Sequence, residues 1–474
     1  MPAGAWIPQI RASRYAAGEA WVVCNDYRRG DFTPYLFRTR NYGQTWERVL
    51  HEKNVRGYVL CVLQDPVEPN LIFAGTEHGL WVSFDNGASF KQWKNEYPSV
   101  STYDLAIQER EADLCIATFG RALYVLDDIR PLRKAAAAKG VLPDRPVVVF
   151  DAPTAYQYNT RNVSGYDYSS WGLFEGQNRP RGAEFSFFLK RKKALKDSAA
   201  VNTEKPDAAA ESGRGRRRGG NRTAGSDSIQ VKLYDDQNQL IRTILATADS
   251  GFNRMYWGYE MKGIRQPGSP KPKPGDEEPR GMNVFPGRYK LVVHYGGSAD
   301  STFLDVKADP AVLPNKELYQ ARMQAIKRLN TVSEKLTAIT DQLSEADEVI
   351  SKIESSLKNV ENTAADSLRK RAKAMTDSIK EIRYQILGKP QEKQGYGTPY
   401  QLTAIRKLYE ARTEITRKEK VPGDQEYRLI REAEELAATA AGKANLFFTT
   451  IWLSFRQQWE TNQPELFKSY KPIQ

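Results

Sequence analysis

The sequence predicts a multidomain chain: all-β at first, with part of a β-propeller followed by an immunoglobulin- or fibronectin-like β-sandwich, and then an all-α helical bundle. Three observations carry this. Short β-rich runs fill the first 130 residues and enclose one turn motif twice, 44 residues apart. Runs with period-two alternation follow as far as Asp309, and from Asn315 apolar residues recur at 3-4 spacing. The 474 residues allow roughly three domains. A composition of 40% hydrophobic and 11% aromatic residues fills several cores and excludes wholesale disorder.

Residues 1–130 read as the terminal blades of a propeller. The repeated motif runs Thr39-Arg40-Asn41-Tyr42-Gly43-Gln44-Thr45-Trp46 and Ser83-Phe84-Asp85-Asn86-Gly87-Ala88-Ser89-Phe90. Both copies fit S/T-x-D/N-x-G-x-T/S-W/F, and their spacing is that of one blade. Asn41 and Asp85 can accept backbone N–H bonds across a turn. Gly43 and Gly87 supply its positive-φ position. Thr39 and Ser83 open the two turns, which are expected between the third and fourth strands of successive blades, with Trp46 and Phe90 buried.

Both copies resemble the Asp boxes, or BNR repeats, of sialidase-like propellers. With WIPQIRASRYAAGEAWVVCNDYRRGDFTPYLFRTRNYGQTW, DPVEPNLIFAGTEHGLWVSFDNGASF and LCIATFGRALYVLDD, the chain resembles the C-terminal portion of bacterial sortilin-like BNR-repeat proteins. Those proteins are often labelled glycosyl hydrolases and are similar in outline to tandem-propeller xyloglucanases. One departure is Phe119-Gly120-Arg121, where the family usually has a histidine before the glycine. The resemblance implies further blades upstream, on the same longer polypeptide or on a partner chain. The first strands would then pair with strands from outside this chain. It also implies a bacterial extracellular, periplasmic or outer-membrane location, with the export signal outside this chain.

Residues 131–146 read as a linker, and 147–310 as the sandwich. Asp236-Gln237-Asn238 and Pro286-Gly287 mark hairpin turns, and RQPGSPKPKPGDEEPRG is a stiff polar loop. A basic insertion, about 193–226, is expected to be disordered, since it has almost no large apolar residues. Between Lys190 and Arg222 eleven Lys/Arg face four Asp/Glu, more than half of the chain's net charge of +12. Without interleaved aromatics this segment argues against nucleic acid as the partner.

Residues 311–474 read as a helical hairpin and bundle. Leu329 to Val360 and Leu368 to Ile386 form two apolar stripes, broken after the second by Gly388-Lys389-Pro390. Two more helices follow, near 400–419 and 424–460, with Phe447, Phe448, Trp452, Phe455 and Trp459 as core.

The chemistry is thinner. Cys24, Cys61 and Cys115 form no paired unit and read as small buried apolar residues; three scattered histidines argue against a metal. No phosphate or dinucleotide loop and no nucleophile elbow occurs, so no cofactor is expected. No run reaches the ~18 apolar residues of a membrane span. A glycosidase needs two carboxylates facing one sugar. The weak candidates are Asp26, Asp31 and Glu77, with Arg28, Arg29, His78 and Arg121 as binding residues, and each also has a plain reading as a turn former or surface ion pair. The expected function is a non-catalytic extracellular or envelope scaffold that docks protein or glycan. The alternative is a glycoside hydrolase whose carboxylates lie partly in further blades.

Overall fold

The computed structural model describes residues 1–158, 179–190, 227–358, 360, 363–390, 401–418 and 420–461. The basic insertion at 193–226 lies outside the described residues. The chain divides into two compact units, Met1–Tyr259 with Pro286–Val312, and Glu260–Phe285 with Leu313–Gln474.

The first unit opens with three antiparallel sheets in sequence order. The first is β1 (Trp6–Ala12), β2 (Ala20–Asp26), β3 (Asp31–Thr39) and β4 (Glu47–Arg48). The second is β5 (Val59–Gln64), β6 (Ile72–Thr76), β7 (Gly79–Ser83) and β8 (Lys91–Gln92). The third has, among the described residues, β9 (Thr102–Gln108), β10 (Asp113–Thr118) and β11 (Leu123–Leu126). Each pairs nearest neighbours in chain order, as propeller blades do. Trp21, Val23, Leu36, Val59 and Ile72 fill the layer between the first two sheets. Phe73, Leu80, Leu105, Leu114 and Ile116 fill the next.

The two repeated turns join the third and fourth strands of their sheets. In one, Gly43 N–H donates to Thr39 Oγ1 (2.9 Å) and Thr45 N–H to Asn41 Oδ1 (2.9 Å). In the other, Gly87 N–H donates to Ser83 Oγ (2.8 Å) and Ser89 N–H to Asp85 Oδ1 (2.9 Å). Gly43 and Gly87 take φ of 82° and 84°. Phe90 is 8% exposed and belongs to the layer between the first two sheets, but Trp46 is 36% exposed, against the expected burial. The reason is the neighbour. The second turn leans on the first sheet, where Arg38 Nη1 donates to Asn86 O (2.9 Å). Among the described residues no sheet precedes β1–β4 to receive the first turn.

After β11 the chain enters α1 (Arg130–Ala137), largely within the stretch read as linker, and no described residue adds a fourth strand to the third sheet. Pro131 suits the first helical turn, where an N–H has no partner in any case. Ile129 and Ala136 join the second core layer, and Arg133 pairs with the fully buried Asp65 (2.9 Å). Cys24 and Cys61 are buried on strands, and Cys115 is half-buried.

Two sheets complete the unit. One orders β12 (Val147–Val149), β14 (Ala183–Leu189) and β17 (Gly251–Trp257). The other orders β13 (Ala155–Gln157), β21 (Ser298–Ala308), β20 (Gly287–Tyr295), β15 (Asp227–Tyr234) and β16 (Leu240–Ala248). All pairs are antiparallel except β13 with β21. Ile229, Val231 and Leu233 alternate inward, as do Leu291 and Val293, the period-two pattern of the sequence.

The second unit holds a short hairpin of β18 (Glu260–Lys262) and β19 (Arg280–Asn283), α2 (Lys316–Leu357), α3 (Thr363–Leu387), α4 (Ala404–Arg417) and α5 (Asp424–Leu446). A π-helical turn, Phe447–Trp452, leads into α6 (Leu453–Thr461). The 42 residues of α2 span about 63 Å. α3 runs back along its C-terminal part, where Arg383 meets Asp347, and α4 along its N-terminal part, where Arg412 donates to Asn330 (2.8 Å). α5 runs parallel to α2, with Arg328 on Glu434 (2.9 Å) near one end and Phe448 facing Ala346 further along. The bundle is therefore three rods, one broken where Gly388 takes φ of 92°. Phe447 and Phe455 are buried in its core, and Phe448, Trp452 and Trp459 pack against it.

α2 also carries a buried polar stripe, Ser333, Thr337 and Thr340. The Pro/Gly-rich loop between β18 and β19 covers it. Thr337 Oγ1 donates to Arg265 O (3.2 Å), Gly268 N–H to Thr340 Oγ1 (3.3 Å), and Arg265 pairs with Asp341.

Candidate functional site

Antiparallel strands return at alternate ends. The β2–β3, β6–β7 and β10–β11 turns therefore share one end of their sheets with the β4–β5 and β8–β9 connections. Main-chain groups lock these loops together. Glu77 N–H donates to Tyr58 O (3.1 Å), Ser101 Oγ to Glu77 O (3.1 Å), and Phe119 N–H to Ser101 O (2.9 Å). Ser99 Oγ and Gln92 Nε2 both donate to His78 O (2.9 Å each). Every weak candidate from the sequence sits at this end: Asp26, Arg28, Arg29 and Asp31 in or beside the first turn, Glu77 and His78 in the second, Arg121 in the third.

The carboxylates are held by neighbours. Asp26 accepts a fork from Arg29 (2.8 and 2.7 Å). Asp31 accepts from Thr33 N–H (3.0 Å) and Tyr35 O–H (2.8 Å), and hydrogen bonding from the Thr33 hydroxyl, the Thr33 amide and Tyr35 holds it below the usual carboxylate range. Glu77 lies 3.6 Å from His78 Nε2. A Cβ on Gly57 would come within 2.9 Å of the His78 ring, so this glycine is needed for the close approach.

Aromatic rings were not singled out from the sequence, yet they dominate this end. Tyr27 stacks on Tyr58 (centroids 4.6 Å, 15°), and Phe32 tilts against Tyr58 at 6.1 Å. Tyr103 and Phe119 pair at 6.3 Å. Burial and then the Glu77 charge raise the Tyr58 hydroxyl above its ordinary range. Arg28 lies between Trp6 (5.9 Å) and Tyr27 (5.6 Å) as a cation facing two rings.

A second titratable cluster joins the third sheet to β14 and β17. Arg179 pairs with Asp113 (2.6 Å) and Asp127 (2.9 Å), Arg130 with Asp128 (2.7 Å), and Arg254 with Glu184 (3.0 Å). Burial pushes Asp128 and Glu184 above the carboxylate range, and it pushes Tyr256, which donates to Glu184 (3.0 Å), up to about 12. Each acid faces an arginine, so the chemistry is that of a clamp. Arg130 lies two residues from Asp128, but Arg179, Glu184 and Arg254 lie tens of residues further along the chain, so the sequence does not show the cluster. A cavity of about 310 Å³ opens at the opposite end of β1, β5 and β9, crossed by Arg11–Asp104 (3.7 Å) and Arg14–Glu109 (2.7 Å).

No protein-family model and no curated protein matches the chain. Among solved structures, an ancestral GH74 enzyme shares 22% identity over 24% of this chain and 14% of its own (TM-score 0.21). The extracellular domain of a proposed one-component system from B. thetaiotaomicron shares 11% over 65% and 31% (TM-score 0.20). Dimeric latent PorU from Porphyromonas gingivalis shares 12% over 65% and 20% (TM-score 0.15). The chain covers less than a third of each of these structures, and likeness this slight adds nothing to what the sheets themselves show. No helix among the described residues is long and apolar enough to cross a membrane.

Proposed function

We propose that the chain is a non-catalytic scaffold of the sortilin-like Asp-box type, bacterial and extracellular or in the envelope, whose three blades continue into further blades outside residues 1–474. Protein or glycan then docks on the assembled surface. The observation that carries this is the unequal burial of Phe90 and Trp46 in two otherwise equivalent turns. A blade before β1–β4 would cover Trp46 as the first sheet covers Phe90. On the far side, Leu123 and Val125 are 72% and 57% exposed, and among the described residues β11 has a free edge. An apolar face beside an unpaired edge invites a further sheet.

The test is backbone hydrogen exchange. In the longer polypeptide, or with the partner that carries the next blades, the amides of β11 become protected and Trp46 fluorescence shifts to the blue. Unchanged exchange and emission there would overturn the reading. The hydrolase alternative predicts new reducing ends from a polysaccharide panel, lost in Glu77→Gln. Such turnover would replace the scaffold reading.

A further inference from the structure

The loop end of the three blades carries aromatic residues and arginines close together in sequence in three of its loops. Arg28 follows Tyr27 in the first turn, Arg56 precedes Tyr58 in the first connection, and Arg121 follows Phe119 in the third turn. All three arginines are exposed, and among the described residues none has a carboxylate partner; the Asp26 carboxylate beside them is taken by Arg29. The Tyr58–Glu77–Ser101–Phe119 ladder ties together the backbones of the loops that carry these residues before any ligand arrives.

We infer that this strip binds an extended acidic sugar chain, with pyranose faces on the rings and carboxylate or sulfate groups on the arginines. The rings favour a sugar over a peptide. They stand as open platforms, with Phe32 and Phe119 at 53% and 74% exposure, whereas peptide anchors fill pockets. Glu77 and Asp31 on the same end favour a sugar over a nucleic acid. Carboxylates accept hydrogen bonds from the free hydroxyls along a polysaccharide, which the backbone of single-stranded DNA does not offer. Guanidinium forks match carboxylate and sulfate, and unpaired arginines make an acidic chain the better occupant than a neutral one.

This names the ligand class for the docking surface proposed above and rests on that reading. The experiment measures binding of the full chain to polygalacturonate (carboxylate), dextran sulfate (sulfate), neutral dextran and a single-stranded oligodeoxythymidine, by affinity electrophoresis. Binding to one or both acidic polysaccharides is expected, and the pair tells which acid is read. Arg28→Ala with Arg121→Ala should weaken it about tenfold, and Phe119→Ala by a similar factor. These side chains are exposed, so folding is expected to survive, and circular dichroism checks it. Equal binding of neutral dextran, tighter binding of the oligonucleotide, no binding to either acidic chain, or variants that bind like the parent would each overturn the inference. Failure here leaves the exchange test of the missing blades untouched. Cleavage of a bound polysaccharide would sink the scaffold reading while leaving the binding strip in place.

Discussion

The turns at Thr39–Trp46 and Ser83–Phe90 use the same hydrogen bonds and the same positive-φ glycine, yet only one buries its closing aromatic. The local motif thus sets the turn, and the neighbouring sheet sets how much the turn contributes to stability. A blade is a repeat whose stability sums its own contacts and those with its neighbours, as in other stacked repeats.

Phe90→Ala tests this most strongly. Removing a buried phenylalanine from the layer between two sheets should cost about 3–5 kcal/mol, read from urea midpoints. A cost under half of that would show the layer to be loosely packed. The glycines come next. A Cβ on Gly87 would sit 3.1 Å from the Trp21 ring, whereas on Gly43 it meets only Trp46, at 3.6 Å. Gly87→Ala should cost about 2 kcal/mol and Gly43→Ala about 1, the second reflecting backbone strain alone. Equal costs would break the comparison.

Trp46→Ala should cost only about 1 kcal/mol in this chain, because its ring keeps much of its contact with water. With a further blade in place the cost should climb toward that of Phe90→Ala. The smallest effect is acid dependence. Burial alone would raise Asp85, but hydrogen bonds from Ser89, Ser83 and the Ala88 amide prevail and lower it. A depressed folded value means stability fully present above the unfolded value near ~4 and lost as pH falls through the folded one. Asn41 occupies the matching place in the first turn and carries no charge. Asp85→Asn should therefore flatten the decline of stability below about pH 4, whereas Asn41→Asp should steepen it.

The motif, its period and the helical stripes were legible because they rest on local spacing. Thr39, Asn41, Gly43 and their counterparts act within eight residues of one another. The exposure of Trp46 was not legible, since it depends on a sheet that the turn does not contain. Asp26, Asp31, Glu77 and their arginines were visible singly, but the ladder joining their loops is made mostly of main-chain groups, which any sequence supplies. Arg179, the partner of Asp127, was hidden by distance along the chain. The loop between β18 and β19 was read with the sandwich because it docks on α2 through serine, threonine and arginine, with little apolar pattern to betray it.

That loop sets an order on synthesis. Arg265 leaves the ribosome before Asp341, so the segment that covers the polar stripe of α2 exists before the stripe does. At about 5–20 residues per second, the 76 positions between the two partners take roughly 4–15 seconds to add. Through that interval Gly268 and Arg265 have no helix to hold, and β20 and β21, which flank the loop's return, are already available to close the sandwich. The strands of the first unit can therefore all be paired before the helix that the loop covers has been made.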